Sequence, residues 1–153
     1  MEATLSATWI ERSARLLLGT IFIYAAVGKI GDPAAFAIAI ANYQILPSAW
    51  INPTALFLPW LELVCGLGLI TGYCTHASTV LVALMLMLFT VALAYAAYRG
   101  LDIHCGCFST DGGAAPRLWL DLARDLILLS LALLVLHYTR RTEHLPRPGN
   151  AGR

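Results

Sequence analysis

The run Pro53-Thr-Ala-Leu-Phe-Leu-Pro59-Trp-Leu-Glu62-Leu-Val-Cys65-Gly-Leu-Gly-Leu-Ile-Thr-Gly72 decides the class of fold. It has the length, about 20 residues, that an apolar helix needs to cross ~30 Å of hydrocarbon. Asn52-Pro53 reads as an N-cap followed by a first helical proline, and Gly72 as a C-cap. Within it, Pro59 interrupts the hydrogen-bond ladder. Glu62 lies roughly 13 Å below Pro53 at 1.5 Å per residue. A carboxylate at such a depth costs about 3 kcal/mol on insertion scales, so it must face protein, carry a proton or meet a cation.

Three further runs of this kind, Ala14–Lys29, His76–Tyr98 and Leu118–Tyr138, predict an all-α integral membrane four-helix bundle. The composition agrees: of 153 residues, 59% are apolar and 12% charged, against about 25% charged in a soluble domain. Residues 1–140 read as one transmembrane domain and 141–153 as a polar cytoplasmic tail. The first run does not read as a cleaved signal, because no polar mature domain follows it, and Lys29 at its end can snorkel. A net charge of +1 gives no reason to expect a nucleic-acid partner. The lipid bilayer is the expected surrounding.

Between the first two spans, Asp32-Pro33 repeats the cap-plus-proline signal. The segment it opens, ending at Pro47, is too short to span and is expected as an interfacial or re-entrant helix with Asn42, Tyr43 and Gln44 at its polar end. Gly19, Gly28 and the Gly68/Gly72 spacing mark places for close helix approach. The turn Tyr73–Thr75 makes the second and third spans antiparallel neighbours. The third span reads as scaffold, with Met85 and Met87 on different faces. On the fourth, Asp121, Arg124 and Asp125 share a face, and Arg124 falls near the depth of Glu62. A Glu62–Arg124 pair is the expectation, with Lys29, Asp121 and Asp125 completing a polar floor that either locks the bundle or tunes protonation.

Arg12 and Arg15 before the first span and Arg140, Arg141 and Arg147 after the last place both termini in the cytoplasm of a bacterial inner membrane. The loop between spans three and four then faces the oxidising side. It carries His104-Cys105-Gly106-Cys107-Phe108. Gly106 can take backbone angles that turn both neighbouring thiols toward each other or toward one ligand. Three readings stay open: a labile dithiol that exchanges, a thiolate clip for Cu(I) or Hg(II) with His104 as a further ligand, or cysteines in a structural subunit without chemistry. In the first, His104 is a candidate base or thiolate stabiliser. Cys65 and Cys74, about 13 Å apart along the chain if helical, cannot bond to each other. Cys65 reads as packing and Cys74 as a free thiol.

Together, Arg15-Leu-Leu-Leu-Gly19, Gly28-Lys29-Ile-Gly-Asp32-Pro33, Leu58-Pro59-Trp60-Leu61-Glu62, Arg99-Gly-Leu-Asp102-Ile-His-Cys105-Gly-Cys107-Phe108 and Arg124-Asp125 resemble the MauE branch of the DoxX-like membrane proteins. The resemblance covers most of the chain and implies a redox-associated inner-membrane protein of methylamine-utilisation type. In that family the role is linked to disulfide formation in a periplasmic partner, often beside a thioredoxin-like protein. Cys105 and Cys107 would be the catalytic pair. The chain is also similar to the four-helix vitamin K epoxide reductases, which makes a quinone a candidate cofactor, although it lacks their Cys-x-x-Cys arrangement.

Overall fold

The computed structural model describes the backbone of residues 2–99 and 118–143, and the side chains of 9–99 and 120–140. All regular structure among them is helical: α1 (Glu2–Gly31), α2 (Pro33–Asn42), α3 (Ser48–Thr71), α4 (Thr75–Tyr98) and α5 (Leu118–Glu143). Three of these helices are long and apolar enough to cross a membrane, over Trp9–Gly31, Ser48–Thr71 and Thr75–Tyr98. The fourth expected span, α5, has 26 residues. The four long helices close a ring in the order α1, α3, α4, α5 and back to α1, and α2 packs outside against α3.

Several boundaries move for physical reasons. No Gly or Pro lies between Glu2 and Arg15, so α1 runs from Glu2 through Arg12 and Arg15, which were expected to precede it. Helix α3 starts at Ser48 behind Pro47, and Pro53 lies inside it rather than at its first position. The amide that Pro53 lacks would have bonded the carbonyl of Ala49, an exposed residue in the first turn, where the loss is small. Helix α2 keeps its expected start, with the Asp32 side chain accepting from the Ala35 amide at 2.9 Å. It ends at Asn42, four residues before Leu46. Gln44, at φ 52°, turns the chain there. At the far end α5 continues to Glu143, so the first residues of the expected tail are helical.

The ring is filled from all four helices, with Leu18 and Phe22 of α1, Leu69 of α3, Val82 and Leu86 of α4, and Leu128 and Ala132 of α5 forming one core. Outward stand Leu17, Tyr24, Phe57, Trp60, Val64, Val91 and Ile127, all exposed. Helices apolar on both faces belong in lipid. There the contacts between helices come from van der Waals packing rather than from exclusion of water. Gly19 and Gly66 make that packing close: a Cβ on Gly19 would stand 2.9 Å from the Gly66 carbonyl, and one on Gly66 3.0 Å from the Gly19 carbonyl. Gly72, with φ 77°, caps α3 as expected. Gly28 has nothing near it, so its expected role in close approach is not realised.

Candidate functional site

Lys29 ends the apolar face of α1, one turn before the Asp32 break, and Glu62 sits at the middle of α3. Both are buried, at 3% and 2% exposure. The Lys29 ammonium donates to both Glu62 oxygens, at 2.6 Å to Oε1 and 2.8 Å to Oε2. Lys29 therefore turns inward, instead of snorkelling. The cause is the lid above it: Phe36 of α2 and Phe89 of α4 place their rings 4.9 and 5.4 Å from the ammonium. Such cation–π contacts are worth ~2 kcal/mol when desolvated.

Arg124 does not reach Glu62, and the pair expected from matched depth is replaced by two others. Arg124 bonds Asp121 and Asp125 on its own helix, each at 3.2 Å. Depth is shared, because Asp125, the next residue, lines one cavity with Glu62; helix rotation differs, turning Asp125 into the core and leaving the Arg124 side chain 32% exposed. Asp125, 1% exposed, nevertheless joins the Lys29–Glu62 pair by another route. Lys29, Glu62, Asp125 and Phe89 line a common cavity of about 20 Å³, one from each long helix. That is room for one water with polar partners on three sides. Of the residues expected in a polar floor, Lys29, Glu62 and Asp125 line this space, and Arg124 and Asp121 pair beside it on α5 without lining it. Phe36 and Phe89 were not legible as part of it, since an aromatic residue in an apolar helix carries no sign that it faces a cation.

His104, Cys105 and Cys107 lie outside the described residues. In sequence they fall between the end of α4, capped by Arg99, and Leu118, where α5 begins. At the first of these ends Arg99 donates to the Gln44 side chain at 3.3 Å and lies over the Tyr95 ring. Tyr43, expected at a polar helix end, is buried against Leu93 and Ala96, with Leu122 of α5 beside them. The end of α2, the end of α4 and the start of α5 therefore meet, and Asp125 lies roughly 10 Å below Leu118 at helical rise. Among the described residues no group of three His, Cys, Asp or Glu side chains could hold a metal ion. Cys65 is buried and Cys74 exposed, and neither is in a disulfide.

The family model described as methylamine utilisation protein MauE matches residues 5–138. Relatives that carry the name methylamine utilization protein MauE include one from Paracoccus denitrificans, 34% identical over 79% of this chain and 65% of its own length. Another, from Methylophilus methylotrophus, is 29% identical over 88% of this chain and 72% of its own. A third, from Methylorubrum extorquens, is 30% identical over 80% and 66%. The match thus spans about two-thirds of the length of these relatives. No solved structure matches the chain. The chain belongs to the MauE family of membrane proteins.

Proposed function

We propose that this protein is an inner-membrane thiol–disulfide exchange protein serving methylamine utilisation, acting through Cys105 and Cys107 on a periplasmic thiol protein, with a thioredoxin-like protein as the natural companion. Both termini lie in the cytoplasm, and residues 1–140 form one transmembrane unit. One observation carries the reading: the helix ends that flank the Cys-Gly-Cys segment in sequence, that of α4 and the start of α5, lie toward a buried ionic cluster drawn from α1, α3 and α5. Membership of a family whose relatives are named for methylamine utilisation supports the pathway.

The chemistry is an exchange. A thiolate of the client attacks one sulfur of the Cys105–Cys107 disulfide, the other cysteine leaves as thiolate, and a mixed disulfide forms. A second client thiolate then displaces the first cysteine, so the client gains a disulfide and the pair is left as two thiols. Two electrons pass from client to pair, and His104 is the candidate to stabilise the leaving thiolate. The buried cluster holds the helix ends that carry the loop.

Replacing one cysteine of the pair tests this. With only the resolving cysteine replaced, by Cys107→Ser or Cys105→Ser, the remaining thiolate attacks the disulfide of an oxidised client and nothing resolves the product, so a dithiothreitol-sensitive adduct with a periplasmic protein should accumulate, and with both replaced it should disappear. Cys65→Ala and Cys74→Ala should leave the adduct unchanged. Absence of an adduct in both single variants, with a wild-type pair that stays reduced in cells, would sink the reading. Ion retention lost in either single variant, without an adduct, would favour the soft-metal clip instead.

A further inference from the structure

A second, larger cavity of about 300 Å³ lies under α2, against α3 and α4. Phe36 and Phe89 form its inner wall and so separate it from Lys29 by one ring. Leu88, 62% exposed, stands at its lipid-facing side. Among the described residues that line it, Tyr43 and Thr54 alone carry hydroxyls. An apolar cavity of about 150 Å³ stays dry and takes up benzene, and this one has twice that volume. Left empty, its walls would forfeit their dispersion contacts on that side. Water gains too few partners there. A partner helix, ~10 Å across, is too wide for it, and an extended peptide would bury backbone amides that these walls cannot satisfy. A flexible hydrocarbon chain meets each requirement, and the surrounding bilayer supplies it.

We propose that this chamber is a binding site for one hydrocarbon chain of a membrane-soluble molecule, acyl or isoprenoid, held between α2 and the α3–α4 pair. The proposal is independent of the cysteine chemistry. Ala39 of α2 faces the chamber, and Ala39→Trp would fill it; Leu88→Trp would crowd its mouth.

The test is to purify the full chain in a sterol-based detergent, which brings no linear chain of its own, and to extract and quantify bound molecules by mass spectrometry. Wild type should retain about one chain-bearing molecule per protein. Ala39→Trp and Leu88→Trp, checked for helical content by circular dichroism, should retain at least five-fold less. Leu126→Trp, on an exposed face of α5, should retain as much as wild type, and so should the Cys105→Ser/Cys107→Ser double variant. A glycerolipid and an isoprenoid quinone are told apart by mass and by quinone absorbance, and either supports the site. No chain on wild type, or undiminished retention in folded Ala39→Trp or Leu88→Trp, would overturn it.

Discussion

Lys29 is three residues from the break that ends α1, where a lysine usually reaches out to the headgroups. Its inward turn is stabilised by a bidentate carboxylate and two aromatic faces, all in a region without bulk water. Removing one member of such a pair strands the other charge, at a cost on the order of 3–5 kcal/mol. Lys29→Met and Glu62→Gln should therefore each lower the melting temperature and folded yield in detergent. The double variant should lose clearly less than the sum, because neither charge is left uncompensated. Additive losses in a thermal-melt cycle would show that the pair does not act as a unit. Glu62→Gln combined with Arg124→Gln should give no such rescue, since the structure assigns Arg124 to the aspartates of its own helix. The charged residues themselves were legible, because each is expensive in lipid and so stands out in an apolar run. Which of them meet was not, because pairing depends on helix rotation, which apolar run length does not report.

At the level of elements, two glycines behave oppositely, Gly66 of α3 in a close helix crossing and Gly28 of α1 in open space. Gly66 and Gly19 bring α3 and α1 so close that a Cβ on Gly66 would also stand 2.8 Å from the Ile23 side chain. Gly66→Leu should force these helices apart and cost roughly 1–3 kcal/mol as overpacking does. Gly28→Ala meets open space and should be neutral or stabilising by up to ~1 kcal/mol through helix propensity. Melting temperatures of the two variants in one detergent check the contrast, and a Gly66→Leu protein as stable as wild type would refute the close crossing. Element existence and order were readable from apolar run length and from the Asp32-Pro33 and Gly72 signals. The closing of α2 was not, since a turn made by Gln44 at positive φ has none of the usual glycine or proline marking. The partner of each glycine was equally hidden, because small residues look alike whether they face a neighbour or lipid.

For the whole molecule, the ring of four long helices puts the α3–α4 turn at one end and the Gln44–Arg99 contact, where the cysteine loop departs, at the other. In sequence, Cys74 immediately precedes α4, and Cys105 and Cys107 follow it. Cys65, buried in the core, should report on neither side. With arginine excess at both chain termini, the Cys74 end is the cytoplasmic one under our reading. An impermeant maleimide added to intact spheroplasts, after mild reduction, should therefore label Cys105 or Cys107 and leave Cys74 untouched. Opening the membrane should then add Cys74, whose side chain is exposed and needs no unfolding to react. Because the reporters are native, single-alanine controls at positions 74, 105 and 107 suffice to assign each band. Labelling of Cys74 in intact spheroplasts, with the loop cysteines protected, would invert the protein and move the dithiol to the reducing side. There a disulfide would not persist, and the exchange reading would fall with the topology.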